Sequence, residues 1–595
     1  MLISINKTQT HSNSILFDNY VLDYELNNKE LYFESSKYHL FLKSNYSENY
    51  INSFLKNFES SSILDVKNAF QKDGFWVIID KKDQNIYINR DLSGLCSAYF
   101  YKNDDKLILS TNVHNIAQEN ARNLNREAVY QLLYFDFLWD GQTIYEGISQ
   151  LKMGAELILD GNLNVKSDTH KQPDIIENNN TLSEEGNIRS LRQEIVKAHK
   201  PYLNDENIVF LSGGIDSVAM LIALNDLTSK EKIKNHSFKV KDTTQDETEY
   251  AKSIANHLDN EIKIIERDFE GEIDEEIFKN KILKMNNPYS GMWIFGNQIS
   301  NTPNTTYYAG QDTRLHTPSL NFLDKIAFNI FELSRKGFKI IFKLFDVLLW
   351  PMRFFLNLIL KFKNIQNKKF LGLRRASYIF NTKAYLSLVY FKVDRANLAS
   401  YKLPLGFFKQ IKKAYNISLK KANNKRELYN TIVSKKWTEQ YVNDMRYMID
   451  MVESQGGKLA MPFYDMDLAK FSATIPFDLS IKTMKGKAQF DDSTSTINKY
   501  VLRESLIDKI DKKTYLRSKA VSRTGHLIFT KGLDNVLKGI ILKDISSNKS
   551  FVKEYELELF LERFLNNTQD WIMTDDKYLL KVYYTACMIV YFNKI

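Results

Sequence analysis

The pattern of hydrophobic and polar positions divides the chain into two parts with different periodicities. In the first part, residues 1–7 alternate apolar and polar positions, and residues 74–80 and 85–91 are apolar runs on either side of a polar turn. Alternation and short apolar runs separated by turn residues are typical of strands and hairpins. The chain up to about residue 165 is therefore predicted to be mostly β-sheet.

From about residue 187 the pattern changes to short apolar runs followed by helical periodicity. Two successive strand–helix pairs are predicted, over residues 207–211 and 218–227 and over residues 235–241 and 247–258. Strands that alternate with helices in this way favour a parallel sheet covered by helices on both faces. Beyond about residue 430 the chain is predicted to be mainly helical.

A polar stretch without apolar periodicity, residues 166–186, predicts a linker between the two parts. The length of 595 residues supports this division, because one compact core rarely serves a chain of that size. We therefore expect a first domain over residues 1–165 and a second over residues 187–595. The expected fold class combines α+β and α/β architecture.

The composition narrows the class of protein. Hydrophobic residues make up 44% of the chain and charged residues 26%, which is typical of a globular protein and excludes extensive disorder. The two cysteines, Cys96 and Cys587, exclude a disulfide framework and fit a reducing compartment. A net charge of +9 is modest for this length, so no nucleic-acid partner is expected. The start lacks the features of a signal peptide, so we expect a cytoplasmic protein.

Candidate chemistry lies in residues 212–217, which read Ser-Gly-Gly-Ile-Asp-Ser between the predicted strand and helix. Paired glycines let backbone N–H groups approach phosphate oxygens, and a helix N-terminus adds partial positive charge. Asp216 makes sense beside that anion only if a divalent cation offsets its charge. The segment therefore predicts a phosphate site with Mg²⁺. The alternative is an ordinary strand-to-helix turn with a serine cap, and a Walker loop is excluded because no Gly-Lys-Ser/Thr follows.

Residues 212–217 resemble the pyrophosphate-binding loop of the asparagine synthetase family, which includes β-lactam synthetases and lasso-peptide macrolactam cyclases. Further segments resemble the same family, namely residues 91–94, 99–101, 106–112, 143–154, 456–465, 475–476 and 517–519. The resemblance implies that a carboxylate attacks the α-phosphate of ATP and that an amine then displaces AMP. It implies nucleotide binding by Leu211, Ser212, Gly213, Gly214, Ile215, Asp216 and Ser217.

The resemblance also refines the expected architecture. Residues 1–165 would form a glutaminase-like β-sandwich of the Ntn type with helices. Residues 187–595 would form an adenine-nucleotide α-hydrolase-like, or PP-loop, synthetase domain with a helical C-terminal part.

The start of the chain departs from the family pattern. Glutamine-using members carry an N-terminal cysteine nucleophile after removal of the initiator Met, whereas Leu2 stands here and no cysteine precedes Cys96. We therefore expect no glutamine hydrolysis, and a first domain that is a structural or docking remnant. An unusual start site, or a Ser4 nucleophile after trimming, is the alternative.

The second nucleotide motif of the family is matched best by residues 307–314, in which Gly310 and Asp312 would bind the nucleotide. Asp312 would share Mg²⁺ with Asp216, since two carboxylates from neighbouring strand ends suit a Mg²⁺ ion that bridges phosphates. The alternative role of Asp312 is a helix cap.

Two positions that carry the family's catalytic acids hold other residues. Ala309 stands where asparagine-forming members have Glu and β-lactam-forming members have Tyr, and Lys458 stands where a Glu is expected after Gly457. The general base is therefore not assigned, and simple asparagine synthesis is disfavoured.

Lys519 matches the family lysine that stabilises negative charge on the departing pyrophosphate and on the tetrahedral intermediate. The resemblance thus implies Lys519 and Asp216 as catalytic residues. A solvated surface lysine is the alternative for position 519.

An insertion without a counterpart in the family is predicted over residues 319–435. Its first half places polar residues as a stripe along an otherwise apolar helix, broken near Pro351, at Lys325, Asn329, Glu332, Lys336, Lys339, Lys343, Asp346, Arg353, Asn357 and Lys361. No uncharged run reaches the roughly 18 residues of a membrane-spanning helix. Residues 320–366 are therefore expected either to lie in a membrane interface on anionic head groups or to pack against protein.

These features predict an ATP-dependent, AMP-forming amide synthase that uses ATP, Mg²⁺, a small-molecule or peptide carboxylate and an amine from a source other than glutamine. Partner proteins of a biosynthetic pathway, and a peripheral position on the inner face of the membrane, are further expectations. Two alternatives stay open. Asparagine formation from ammonia is disfavoured by the missing acidic base, and a non-catalytic membrane scaffold is disfavoured by the presence of Asp216, Asp312 and Lys519.

Overall fold

The structure is a computed structural model. It describes residues 1–6, 14–16, 21–26, 30–120, 123–135, 137–138, 141–171, 180–241, 247–267, 273–288, 299, 302, 304–310, 322–362, 368–382, 384–386, 422–436, 442–484, 495–517, 533–566 and 576–594. Two predicted site residues, Asp312 and Lys519, lie outside these residues.

Two antiparallel sheets form the N-terminal part. Their strands are β1 Leu2–Asn6, β2 Ser14–Leu16, β3 Val21–Glu25, β4 Glu30–Glu34, β5 Tyr38–Lys43, β6 Phe75–Asp80, β7 Ile86–Arg90, β8 Tyr99–Lys102, β9 Lys106–Ser110, β10 Ser149–Gln150, β11 Ala155–Leu159 and β12 Val165–His170. One sheet has the order β10-β8-β9-β1-β3-β2 and the other the order β12-β11-β7-β6-β5-β4. The predicted first strand and the predicted hairpin of β6 and β7 are confirmed.

The two sheets pack face to face through alternate apolar residues. Ile3 and Ile5 of β1 and Leu107 of β9 share one core cluster with Val77 and Ile79 of β6 in the other sheet, and all five are fully buried. A side-chain period of two places these residues on the inner face of each sheet. Helices α1 Glu48–Leu55, α2 Ile63–Phe70, α3 Val113–Asn120 and α4 Arg126–Phe135 complete this part.

Regular structure occupies both ends of the predicted linker. Strand β12 pairs with β11 and extends to His170, and helix α5 begins at Glu184 with Ser183 as its N-cap. The pattern of residues 165–170 gave no strand signal because β12 is an edge strand with mostly exposed side chains, so no buried face imposes alternation. The domain boundaries at residues 165 and 187 stay a prediction.

A parallel sheet follows. Its strands are β13 Glu206–Phe210, β14 Ile233–Val240, β15 Ile262–Arg267, β16 Thr305–Tyr308 and β17 Leu459–Ala460, in the order β15-β14-β13-β16-β17. The helices associated with it are α5 Glu184–His199, α6 Ile215–Leu227, α7 Thr248–His257 and α8 Glu275–Ile282. The predicted strand–helix alternation is confirmed, and so is the mixed fold with antiparallel sheets first and a parallel sheet later.

The described part of the insertion is helical. It contains α9 Phe322–Leu333, α10 Lys339–Leu348, α11 Trp350–Phe362, α12 Lys368–Ser377 and α13 Lys425–Lys436. The predicted break near Pro351 is confirmed, because this proline lies in the first turn of α11, where its missing N–H is not needed. A break at Gly337, which has a φ of 112°, was not predicted.

The predicted polar stripe of the insertion is wrong in one respect. Lys336, Lys339 and Lys343 are exposed, but Arg353 is buried and forms an ion pair with Asp346. The stripe is thus divided between solvent and the interior, because helical periodicity does not say which side of a helix meets the rest of the protein.

The C-terminal part is mainly helical, as predicted. It contains α14 Val442–Ser454, α15 Met466–Thr474, α16 Phe477–Ser480, α17 Tyr500–Glu504, α18 Lys512–Leu516, α19 Asp534–Ile545, α20 Phe551–Glu554, α21 Glu558–Asn566 and α22 Asp576–Phe592, with a hairpin of β18 Ile481–Met484 and β19 Ser495–Asn498. Helix α22 is the most apolar of the last elements, and its residues from Tyr578 to Phe592 are almost all buried.

Buried polar contacts join the N-terminal sheets to the later helices. The Lys43 ammonium lies 2.6 Å from the Glu453 carboxylate of α14, and the Ser97 hydroxyl donates to Asp450 over 2.8 Å. Burial alone would lower the pKa of Lys43, but the carboxylates of Glu453 and Asp450 outweigh it and raise that pKa. Such a charged contact fixes the relative register of the two parts because either partner alone would be a buried, uncompensated charge.

Two buried histidines make the stability of the protein depend on pH. His114 donates through Nε2 to the Met285 carbonyl over 2.7 Å, and His199 donates through Nδ1 to the Ile195 carbonyl over 2.7 Å. Burial lowers the pKa of each from 6.5 to about 4. The unfolded chain therefore binds more protons between these values, and stability is complete above the unfolded pKa and lost as the pH falls.

We expect His114→Gln to flatten this dependence, because an amide can keep both hydrogen bonds without titrating. Relative to the variant, the wild type should lose about 2 kcal/mol of unfolding free energy between pH 7 and pH 5. Urea unfolding at the two pH values measures this, with the exposed His257→Gln as the control. A constant difference between wild type and His114→Gln would contradict the assignment.

Candidate functional site

The loop that follows β13 connects the centre of the parallel sheet to helix α6. Leu211 is buried at the strand end, Gly213 has a φ of 68°, and Gly214 is the N-cap of α6. The Ser217 hydroxyl donates to the Gly214 carbonyl over 3.0 Å, and the Ser212 backbone N–H donates to Ser217 Oγ over 3.3 Å. The two serine hydroxyls therefore hold the loop against the first turn of the helix.

Gly213 is the tightest point of this loop. A Cβ at this position would lie 2.7 Å from an Arg517 guanidinium nitrogen and 2.8 Å from backbone atoms of Tyr250 and Ala251. The positive φ and the close backbone together require glycine.

The N-terminus of α6 is arranged to receive an anion. The N-cap Gly214 has no side chain that could occupy the first N–H groups, which belong to Ile215, Asp216 and Ser217. The helix dipole adds partial positive charge at the same point. The rest of α6 is buried on nearly all sides, so packing in the core fixes the position of its N-terminus.

Cationic side chains from a distant part of the chain meet the loop. Lys499 Nζ lies 2.5 Å and 2.6 Å from the two carboxylate oxygens of Asp216. Arg517 donates to the Ser212 carbonyl over 2.8 Å and to Glu247 over 2.7 Å, and its guanidinium stacks 4.2 Å above the Tyr250 ring. The Lys499 ammonium therefore contacts the first turn of α6, and the Arg517 guanidinium contacts the loop itself.

Arg503 connects these two groups. It donates through Nε to the Asn498 carbonyl over 2.9 Å and through a terminal nitrogen to the Arg517 carbonyl over 2.9 Å. Burial lowers the pKa of Arg503, while the charge of Asp216 acts in the opposite direction. Lys499 is the residue before helix α17, and its backbone has a φ of 58°, in the left-handed region. Arg503 thus positions both the Lys499 turn and the backbone at Arg517.

The structure brings together the predicted residues that it describes. Gly310 follows β16, and a Cβ there would lie 3.1 Å from the Asp216 carbonyl oxygen, so the end of β16 touches the first turn of α6. Asp312 and Lys519 lie outside the described residues. Lys499 and Arg503 were missed by sequence reasoning, because they belong to no motif and lie more than about 280 residues from the loop along the chain.

The side chains of Lys458 and Glu453 lie away from the loop. Lys458 precedes β17 and donates through Nζ to the Tyr46 carbonyl of the N-terminal part over 2.5 Å, and burial lowers its pKa. Glu453 pairs with Lys43. Neither side chain faces the loop, whereas Ala309 is buried at the strand end beside it.

The cysteines are buried within the structure. Cys96 is fully buried, its Sγ lies 3.3 Å from an Asp73 carboxylate oxygen, and burial with the charge of Asp73 raises its pKa well above the usual value. Burial likewise raises the pKa of Cys587. A thiol nucleophile needs the opposite environment, with access and a lowered pKa.

The carboxylates of the described residues form no group of three or more metal-ligating side chains. Near the loop, Asp216 has two carboxylate oxygens, both of which contact Lys499, and the residues around it supply phosphate-binding cations and hydroxyls. This donor set suits a Mg²⁺ ion that takes one or two carboxylates and completes its shell with phosphate and water.

A comparison with known families matches the part of the chain that carries the loop. Residues 190–278, which include β13, the loop and α6, match the family model described as asparagine synthase. A protein of Methanocaldococcus jannaschii named "Putative asparagine synthetase (glutamine-hydrolyzing) 2" is 28% identical over 221 residues, which cover 34% of this chain and 41% of that relative. The chain thus matches less than half of the length of that relative. The match of residues 190–278, which contain the Ser212–Ser217 loop, supports a relationship to the asparagine synthetase family.

Proposed function

We propose that the chain is a carbon–nitrogen ligase, an ATP-dependent and AMP-forming amide synthase that adenylates a carboxylate and transfers the acyl group to an amine supplied without glutamine hydrolysis. The observation that carries the proposal is the N-terminus of α6, which has no side-chain cap and is bordered by Lys499 and Arg517. A site that binds the two outer phosphates leaves the α-phosphate free for attack by a carboxylate.

The reaction balances in two steps. A carboxylate oxygen bonds to the α-phosphorus, the bond between the α-phosphorus and the bridging oxygen breaks, and pyrophosphate leaves. The amine nitrogen then bonds to the acyl carbon, AMP leaves, and the nitrogen gives up a proton. Lys499, Arg503 and Arg517 favour the first step because they concentrate positive charge where the leaving pyrophosphate gains negative charge.

Asp216, together with Asp312, would hold Mg²⁺, which supplies charge neutralisation of the phosphates when bound. In the structure the Lys499 ammonium neutralises Asp216. When the nucleotide binds, the Lys499 ammonium would move from that carboxylate to a phosphate oxygen. Lys519 keeps its proposed role on the developing charge, and it follows the loop-contacting Arg517 by two residues.

The proposed architecture is a glutaminase-like sandwich before a PP-loop synthetase domain, supported by the stacked antiparallel sheets and the central loop-bearing strand β13. Independence from glutamine is supported by the buried, high-pKa thiols of Cys96 and Cys587. Ser4, the alternative nucleophile after trimming, is disfavoured because it is buried in β1 between Asp23 and Ile108 of the neighbouring strands.

A second candidate, asparagine formation, is favoured by the name of the Methanocaldococcus jannaschii relative. That name attributes glutamine hydrolysis to the relative. For this chain, Ala309 at the strand end and Lys458 turned towards Tyr46 leave the acidic positions of asparagine-forming members without a carboxylate. We therefore place this candidate second.

The proposed function is tested by the nucleotide products. The purified full chain is incubated with ATP, Mg²⁺ and fractionated metabolite extracts, and we expect AMP with pyrophosphate from the fractions that contain the substrate. Mass spectrometry of these fractions should find a product formed with loss of water. Aspartate with ammonium serves as the arm for asparagine. Formation of ADP, or no affinity for nucleotide with Mg²⁺, would overturn the proposal.

A further inference from the structure

An exposed apolar surface stands out on helices α10 and α11. Residues 338–355 carry eleven of the 22 large apolar side chains that are exposed among the described residues. We call this surface the apolar ridge; its members, between 40% and 73% exposed, are Phe338, Ile340, Ile341, Leu344, Phe345, Val347, Leu348, Trp350, Met352, Phe354 and Phe355. Contiguous exposed apolar surface of this kind marks a site of interaction.

The ridge is held in place by polar contacts on its inner side. The buried Arg353 donates to the Ser377 carbonyl over 2.8 Å, forms an ion pair with Asp346 and lies 4.6 Å from the Tyr378 ring centre. Asn381 donates to the second oxygen of Asp346 over 3.4 Å. The helix pair therefore turns Asp346 and Arg353 inward and a wide apolar surface outward, whereas a helix that faces water presents mainly polar residues.

Positive charge is concentrated in the part of the sequence that contains the ridge. Residues 331–380 contain eleven Lys and Arg against two Asp and Glu, an excess of nine that equals the net charge of +9 of the whole chain. The rest of the sequence is therefore neutral on balance. Lys336, Lys339 and Lys343 are exposed on the same helices as the ridge.

These two features together select one kind of partner. A second copy of the chain would bring the same excess positive charge against the first, and an isologous contact of this surface would be repulsive. An anionic bilayer offers apolar acyl chains for the ridge and negative head groups for the lysines. Aromatic residues such as Trp350 and Phe354, stacked 5.8 Å apart, are typical of that boundary.

We propose that the apolar ridge docks the protein on an anionic lipid bilayer, with α10 and α11 lying in the interface plane. The described residues contain no helix long and apolar enough to pass through a membrane. Docking therefore rests on the apolar area of the ridge and on electrostatic attraction to anionic lipids. The inference is independent of the proposed chemistry at the loop.

Vesicle flotation with the full chain tests the docking. We expect binding to vesicles of phosphatidylcholine with phosphatidylglycerol, weaker binding to phosphatidylcholine alone, and release by salt because the attraction is screened. Leu344→Gln with Leu348→Gln removes two ridge side chains that are 61% and 71% exposed. Since Leu and Gln have similar helix propensities, the fold is retained, and binding should fall on the order of tenfold per residue.

A matched control keeps the number of exchanged leucines. Leu64→Gln with Leu559→Gln changes side chains that are 61% and 59% exposed but lie outside the ridge, and flotation should be unchanged. Lys339→Gln with Lys343→Gln should weaken binding by about fivefold per charge and reduce its salt dependence.

Three results would overturn the proposal. The first is flotation of the ridge variant equal to that of the wild type, and the second is equal binding to neutral and anionic vesicles. The third is a wild-type chain that does not float but forms a dimer or a protein complex that the Leu344→Gln and Leu348→Gln variant cannot form.

Discussion

Exchange of Asp216 for Asn is expected to reduce AMP formation by about a hundred- to a thousandfold, the range seen when one charge-stabilising group is removed from an active site. Asp216 lies in the first turn of α6, and both of its oxygens contact Lys499. Asn has the same shape but neither the charge that attracts Mg²⁺ nor the charge that holds the Lys499 ammonium. Turnover is measured as AMP released by the substrate-containing fraction.

The same variant should change nucleotide binding in the opposite direction when Mg²⁺ is absent. Without the carboxylate, Lys499 is released towards the phosphates and a negative charge beside them is lost, so the affinity for ATP in a chelator should rise. Isothermal titration with and without Mg²⁺ separates the two effects. Asp226→Asn is the matched control, because Asp226 lies near the other end of α6 and also pairs with a cation, Arg192, over 3.2 Å. Equal turnover of the two variants would contradict a role for Asp216.

The elements that carry the loop could be predicted because each has a strong local signal. The strand predicted over residues 207–211 is Glu206–Phe210, and the helix predicted over residues 218–227 is Ile215–Leu227. Both are apolar runs buried on nearly all sides, so composition alone identifies them. The helix begins three residues earlier because the polar residues of its first turn belong to the site.

The cationic side of the site could not be predicted in the same way. Lys499 and Arg517 contact the loop through the packing of α17 and the segment after α18, and Arg503 lies between them. Lys499 and Arg503 belong to no motif. Contacts of such long sequence separation depend on tertiary structure, for which one sequence gives no local signal. The resemblance of residues 517–519 to the family pointed to this region but not to Lys499.

The orientation of the insertion shows a similar limit. Periodicity correctly predicted apolar helices and a break near Pro351, but Asp346 and Arg353 face inward because Ser377 and Asn381 supply their partners. Those partners come from a later segment, so the helix pattern alone could not reveal that the apolar residues face outward.

Exchange of Gly213 for Ala is expected to remove ATP binding and to lower the free energy of unfolding by about 2–5 kcal/mol. The backbone at φ 68° costs an L-residue roughly 1–2 kcal/mol, and the added Cβ would meet backbone atoms of Tyr250 and Ala251 at 2.8 Å, a crowding that costs about 1–3 kcal/mol more. Tyr250 and Ala251 belong to α7, which packs against β14 and β15. The loop must therefore shift, and the N–H groups that would bind the phosphates shift with it. Urea unfolding and ATP titration measure the two effects.

Two other glycines separate the cost of the positive φ from the cost of crowding at the new Cβ. Gly337 has a positive φ of 112°, and a Cβ there would have no atom within 4 Å. Gly337→Ala should therefore lower the free energy of unfolding only by the backbone cost, about 1–2 kcal/mol, and leave the ATP affinity unchanged. Gly214→Ala has a negative φ and a nearest neighbour, Ser212 Oγ, at 3.3 Å, so the fold should tolerate it. The loss of stability should therefore decrease from Gly213 through Gly337 to Gly214. If Gly213→Ala binds ATP as tightly as the wild type, the nucleotide does not bind at this loop. A shift of the loop would displace the N–H groups that bind the phosphates.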